Sequence, residues 1–409
     1  MAVRVTDDAV WRNWSGRQAT MDATLHHVRS EEDAAALAAS AASSGSTVRV
    51  AGSGHSHAPL VPTDGVVADL SGLSGVISTD PDAGVAWVWA GTPIHALGRP
   101  LHDAGLALAN QGDIDRQAIG GAVATGTHGT GVGLGNLSSV VVGARIATAS
   151  GQLVDCSAGG DGTVPGHPDL RDHDLWEAAR LNLGALGVVT RLGLRVRPAY
   201  RLAERRTLTT LDGALAEIGT APASTRHYEF FWYPHRDRAA VKMIDETDEP
   251  PVYPIGPEGS RVGWNYEVLP SHRAWIHTEI EYAVDAADGP ACMAALRDLV
   301  RGRFPDLRWP LEYRFVAADE VWLSPAQGRP TVTISLHQDI GTDDRELFEP
   351  AEEILVAHGG RPHWGKVNTM DGRTLAERYP HWADWWRVRD AIDPAGVFLN
   401  DYLRGIRPG

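Results

Sequence analysis

After a short alternating run, Thr47–Val48–Arg49–Val50–Ala51, the chain turns through Gly52–Ser53–Gly54–His55–Ser56–His57. A strand ending in such a turn restricts what can be built around it. Backbone without Cβ atoms can approach a ligand closely and aim several N–H groups at a pyrophosphate. A histidine in the same turn adds a ring able to attack an electrophilic cofactor carbon. The third glycine of a dinucleotide fingerprint is missing, and no GxGxxG occurs elsewhere, so a separate nicotinamide-binding unit is not expected. His55 and His57 also have the spacing of two metal ligands on one strand face. With no HExxH or CxxC to supply partners, no metal is expected.

A chain of 409 residues exceeds what one core usually organises, so two domains are expected. A net charge of -15 argues against nucleic acid or an anionic membrane as partner, because both are bound through lysine and arginine. Residues 1–20 are polar, and no stretch of about eighteen apolar residues appears, so a cytoplasmic protein without a membrane span is expected. Cys156 and Cys292 lie far apart and form no CxxC, which predicts two buried free thiols.

Local signals alternate between the two periodicities, giving an α+β class. Ser30–Glu31–Glu32–Asp33 reads as a capping box for a helix running to Ser44, with Gly45 at its left-handed end. Strands are expected at 65–70 and 85–90, then a helix over 93–104 capped by Thr92. Residues 140–149 and 152–155 read as a hairpin, followed by a helix near Leu175 and a strand over 188–196. Beyond Pro198, strands are expected at 227–233, 276–284, 312–317 and 331–337, with helices near 288–302 and 344–357. Residues 246–259, rich in proline and acidic residues, read as an exposed loop or lid. Trp385 and Trp386 read as packing residues. Glu312 and Arg314, two apart on a strand, share a face. The plain reading of such a pair is a half-buried salt bridge.

Four separated motifs, in order, carry a resemblance. They are the His55 turn; Ala109–Asn110–Gln111–Gly112–Asp113 leading into Gly120–Gly121–Ala122–Val123–Ala124–Thr125–Gly126–Thr127–His128–Gly129; Leu183–Gly184–Ala185–Leu186–Gly187–Val188–Val189–Thr190; and Pro362–His363–Trp364–Gly365–Lys366 with Phe398–Leu399–Asn400–Asp401–Tyr402. Together they resemble the vanillyl-alcohol-oxidase superfamily and, within it, the aldonolactone and alditol oxidases. The resemblance implies a two-domain FAD-binding fold of the PCMH type with an α+β substrate cap. Residues 1–198 would bind FAD, 199–362 would form the cap, and 363–409 would return to the FAD domain and the site.

It further implies an 8α-histidyl bond from His55 to FAD. Cofactor contacts would come from Gly52, Ser53, Gly54, Ser56, His57, Gly112, Asp113, Gly120, Gly121, Thr125, Gly126, Thr127, His128, Val188 and Asn400. Lys366 and Arg314 would hold the reacting hydroxyl, with Glu312 gripping a substrate hydroxyl and tuning the lysine; His337 completes the catalytic set. Asp113 and His337 depart from the alditol-oxidase pattern, which has serine and threonine there, and resemble bacterial gulonolactone-type relatives. His57 stands where relatives commonly place phenylalanine. The implied reaction is hydride transfer from an alcohol carbon of an aldonolactone, alditol or sugar-like metabolite to flavin N5, with dioxygen reoxidising the flavin and giving hydrogen peroxide. Gly112, beside the flavin edge in relatives, would leave dioxygen a path. A dehydrogenase with another acceptor, a natural-product tailoring oxidase and a non-catalytic carbohydrate-binding protein are the alternatives.

Overall fold

A computed structural model describes residues 9–271 and 275–408. Local rules set the N-terminal half. Helix Glu31–Ser44 opens where the Ser30 side chain accepts from the Asp33 N–H, and it closes at Gly45 with φ 68°. Strand Val48–Ala51 then pairs in parallel with Val66–Asp69, which pairs in parallel with Thr24–His27. A second, antiparallel sheet has the order Leu153–Ser157, Val141–Ala147, Val188–Arg195, Val85–Trp89, Val76–Asp80. The expected hairpin is therefore present. The helix after Trp89 spans Ile94–Asp103, and Pro93 occupies its N-cap, not Thr92. Thr92 is buried instead and ties the Gly75 N–H and the Trp89 carbonyl together through its hydroxyl.

From Arg201 to Pro362 one antiparallel sheet of eight strands dominates. Its order is Val262–Trp264, Arg201–Thr209, Arg238–Glu246, His227–Tyr233, Leu311–Val316, Thr331–Asp339, His277–Asp285, Arg361–Pro362. Two of its longer strands, Arg201–Thr209 and Arg238–Glu246, carry no clear strand signal in the sequence. Their charged residues conceal the alternation that pairing reveals. Side chains on such a sheet alternate between faces. One face carries Phe230, Ile280, Tyr282, Tyr313, Ile334 and Leu336, all fully buried, and helices Gly289–Arg303 and Arg345–Ala357 pack on this sheet.

The segment 247–259 is a loop with Val252 and Tyr253 exposed. None of its residues lines the two cavities described below. Trp385 and Trp386 are buried, as are the free thiols Cys156 and Cys292. No described helix is long and apolar enough to cross a membrane. The C-terminal segment returns to the start of the chain. Val48 N–H donates to the Val397 carbonyl at 2.8 Å, and His57 N–H donates to the Gly365 carbonyl at 2.7 Å.

Candidate active site

The opposite face of the eight-stranded sheet is polar, and register explains its composition. Glu279 lies across from His337, Glu281 and Glu312 both lie across from Ser335, and Arg314 lies between Thr333 and Glu229, which faces Lys242. Every one of these side chains is buried. Charges in such a place need partners, and they have them.

Arg314 is the hub. Its Nη2 contacts Asp113 at 2.9 Å and Glu312 at 2.6 Å, while Nε donates to Glu229 at 2.8 Å. Lys242 reaches Glu229 at 2.9 Å and Asp113 at 3.6 Å. Burial works against the charge on Lys242, but Asp113 and Glu229 outweigh it and hold its pKa above the ordinary lysine value. Further along the sheet, Lys366 donates to Glu279. His128 places Nδ1 2.8 Å from the Gly129 carbonyl and Nε2 2.9 Å from Glu281, so both ring nitrogens face acceptors. Burial pushes the His363 pKa down to about 4. Ligand atoms of Glu279, Glu312 and His337 approach within 4.8 Å, as do those of His57, His277 and Glu279. Lys366 and Arg314 already engage these carboxylates, so we read both groups as parts of an ionic network.

Of this network, Asp113, Arg314, Glu312, Glu279, Lys366 and His128 line a cavity of about 700 Å³, together with Trp14, His55, Ser56, His57, Gly112 and Thr127. A neighbouring cavity of about 910 Å³ runs along Gly52, Ser53, Gly54, Gly120 and Gly121. His55, Ser56, Gln117 and Thr125 line both, so the two form one continuous groove. His55 thus stands at the junction. Burial, then Lys366 and His277, lower its pKa to about 4, leaving a neutral ring at neutral pH. Its ring lies 5.5 Å from Trp14 at a 32° tilt.

Glycines decide whether a dinucleotide fits the larger cavity. A Cβ on Gly52 would sit 2.8 Å from Ala118 Cβ, and one on Gly120 would sit 2.9 Å from Ala90, so the turn packs on the start of helix Ile119–Ala124, and that helix on the end of strand Val85–Trp89, without side chains. A Cβ on Gly121 would meet nothing within 4 Å and would project into open groove. Bare backbone thus lines the larger cavity, which suits the close approach of the FAD pyrophosphate, and His55 stands at its junction with the smaller one. Gly121→Leu should therefore fold as the wild type does and lose flavin. We expect at least a tenfold drop in bound flavin per protein, a block of about 1.4 kcal/mol or more, read by visible absorbance against unchanged circular dichroism. Undiminished flavin content would place the cofactor elsewhere.

A family model described as D-arabinono-1,4-lactone oxidase matches residues 192–261 and 256–406, and one described as an FAD binding domain matches residues 23–157. L-gulono-1,4-lactone dehydrogenase of Mycobacterium tuberculosis is 35% identical, over 97% of this chain and 99% of the relative. The chain belongs to the D-arabinono-1,4-lactone oxidase family. Alditol oxidase of a Streptomyces species is 29% identical over 97% of this chain and 99% of its own. Among solved structures, cholesterol oxidase from Brevibacterium sterolicum superimposes with a TM-score of 0.82 at 18% identity, covering 100% of this chain and 99% of that one. That likeness establishes a shared fold. The chain is an FAD-dependent oxidoreductase acting on CH–OH groups, of the family that oxidises sugar lactones and alditols.

Of the residues the sequence proposes, Lys366, Arg314, Glu312, His337, Asp113, Gly112, Thr127, His128 and His57 converge on the smaller cavity. Gly126, Val188 and Asn400 line neither. Gly126 makes a turn at φ 74° against Leu181, and Val188 is a fully buried strand residue. Asn400 caps helix Asp401–Gly405 and donates to the Pro59 and Pro62 carbonyls at 2.9 Å, clamping the C-terminal segment behind the His55 turn. Sequence reasoning missed Glu279, Glu281, His277, Glu229, Lys242 and His363. Glu279 and Glu281 repeat the spacing of Glu312 and Arg314, a signal that was present but unread.

Proposed function

We propose that this enzyme oxidises an alcohol carbon of an aldonolactone or alditol, with its flavin bonded to His55 and dioxygen as acceptor. The observation carrying this reading is the smaller cavity, where Lys366 and Arg314 stand among Asp113, Glu279 and Glu312. Such a wall offers a hydrogen-bond partner to each hydroxyl of a polyhydroxylated molecule. The printed names of the two relatives, one acting on L-gulono-1,4-lactone and one on alditols, support the same class. Bound FAD supplies the two-electron oxidant at the His55 end of the cavity. The chain's own residues do the rest. Lys366 and Arg314 hold the reacting hydroxyl and stabilise negative charge developing on its oxygen, while Glu312 fixes Arg314 and accepts from a neighbouring hydroxyl. In this reading residues 1–198 and 363–409 hold the flavin and 199–362 cap it.

Gly112 supports the choice of dioxygen, because it adds no side chain to the cavity wall. A Cβ there would crowd Thr127 Cγ2 at 3.1 Å and the His128 carbonyl at 3.2 Å. The mycobacterial relative's name, a dehydrogenase, favours another acceptor as the second reading. Stopped-flow mixing separates them. Flavin should be reduced anaerobically by L-gulono-1,4-lactone or xylitol, and then reoxidised by dioxygen faster than free flavin. Lys366→Met, which removes one charge contact to the reacting oxygen, should slow reduction roughly a hundredfold or more, about 3 kcal/mol. Equal rates in that variant would remove Lys366 from the reaction, and reoxidation no faster than free flavin would make the enzyme a dehydrogenase.

A further inference from the structure

The larger cavity is almost without charge. Among the described residues lining it, Arg49 alone is charged at neutral pH, since there is no lysine, aspartate or glutamate and the His55 ring is neutral. FAD would bring a doubly charged pyrophosphate into this space. Arg49 stands on strand Val48–Ala51, just before the glycine turn, and is only 1% exposed.

A guanidinium so deeply buried ordinarily has a carboxylate beside it. Arg389, equally buried, contacts Asp390 at 2.6 Å and Asp393 at 2.5 Å. Arg49 pairs with no acid among the described residues. Backbone alone holds it: Nε donates to the Leu60 carbonyl at 2.7 Å, Nη2 to that of Leu183 at 2.7 Å, and Nη1 to that of Gly184 at 2.8 Å and to that of Phe398. Leu183 has φ 53°, uncommon for a residue with a side chain, and Gly184 follows at 65°, so two successive left-handed residues present their carbonyls to the guanidinium. Leu60, Leu183 and Gly184 line the same cavity. Carbonyl dipoles satisfy hydrogen bonds without cancelling a charge. Burial and then the like charge of Arg389 accordingly push the Arg49 pKa below the ordinary arginine value, and no carboxylate opposes them. A guanidinium has five N–H donors, so one on Nη2 is left with no acceptor among the described residues. Clamping four carbonyls explains the bonds that are made. It does not explain a buried cation with no counter-ion.

Resting on the placing of FAD in the larger cavity, we infer that Arg49 is the counter-charge of the cofactor's pyrophosphate, the cofactor supplying the anion that the chain leaves out. The backbone of the glycine turn would give the phosphates hydrogen bonds. Arg49 adds the net charge that backbone lacks. The apoprotein therefore carries an uncompensated buried cation, and a ligand bearing the pyrophosphate relieves it on binding.

The test uses the full chain carrying His55→Ala, stripped of flavin, titrated calorimetrically with FAD, ADP and adenosine. ADP should bind more tightly than adenosine by roughly tenfold to a hundredfold, the range for hydrogen bonds to a charged group. Arg49→Gln and Arg49→Met should each lose most of that preference, weakening ADP and FAD while adenosine binds as before. Arg49→Lys keeps the charge without the fork and should retain the preference. A clamp with no electrostatic role gives a different pattern. All three variants would then weaken ADP and adenosine alike, with Arg49→Lys no better than the other two, and that result overturns the inference. Where neither neutral variant folds, the parent protein still decides: ADP bound no more tightly than adenosine overturns the inference, and a preference that survives in Arg49→Lys supports it. If Gly121→Leu in the same background binds ADP as tightly as the parent, the larger cavity is not the cofactor's, and the placing of FAD fails instead.

Discussion

Replacing His55 with alanine is expected to turn a flavin that survives denaturation into one that denaturation releases. The wild type should stay yellow after acid precipitation and give a fluorescent band on a denaturing gel, and His55→Ala should give none. Position and charge state both point to this ring. It stands where the two cavities meet, and its pKa near 4 leaves an unprotonated nitrogen available at neutral pH. The sign of that shift matters. Attachment of FAD to freshly prepared apoprotein should proceed at neutral pH and fail only as the pH falls through about 4, where the ring becomes charged. His57 is the competing nucleophile, and its buried Nδ1 has no hydrogen-bond partner among the described residues. It lines the smaller cavity alone, however, so His57→Phe should keep the band. A band that persists in His55→Ala and vanishes in His57→Phe would move the bond to His57. Complete release from the wild type would show a flavin held without any bond.

Legibility in the sequence follows the range of the interaction. The helix opened by Ser30 and closed by Gly45 is fixed by contacts within a few residues, and the sequence shows it directly. Glu312 and Arg314 are also legible, because the twofold repeat of a strand puts both on one face whatever lies beside it. Their partners are a different matter. Glu229 lies 85 residues from Arg314, and only strand pairing brings it to 2.8 Å. Lys242 and Asp113 join the same hub from a strand and a loop that no local pattern connects. Glu279 and Glu281 stand in strand His277–Asp285 with the same alternation as the recognised pair. Two carboxylates there read as solvent-facing until the neighbouring strands bury them. Arg49 shows the limit most clearly. It is a single arginine in an apolar strand, and the fold gives it the carbonyls of Leu60, Leu183, Gly184 and Phe398, binding together segments more than three hundred residues apart.

Arg314→Met is expected to weaken the fold as well as the reaction, because one guanidinium neutralises several acids. Asp113, Glu229 and Glu312 all contact it, and Asp113 and Glu229 also contact Lys242. Burial opposes the charge on Arg314, but Glu312, Asp113 and Glu229 overcome it and hold the pKa well above the ordinary arginine value. Removing that charge leaves buried carboxylates uncompensated, which typically costs about 3–5 kcal/mol. The carboxylates can escape only by binding protons, so their pKa values in the folded variant should rise above those of the unfolded chain. A folded state that binds more protons is favoured by acid. Denaturant unfolding followed by tryptophan fluorescence should therefore show Arg314→Met least stable at alkaline pH and recovering as the pH falls. Arg314→Lys keeps the charge and should recover much of the loss while still reducing flavin slowly, because the forked contacts are gone. Adding Glu229→Gln to Arg314→Met should be less costly than the sum of the two changes, since one unpaired charge disappears with its missing partner. Wild-type stability in Arg314→Met at every pH would show that the hub does not hold the eight-stranded sheet together.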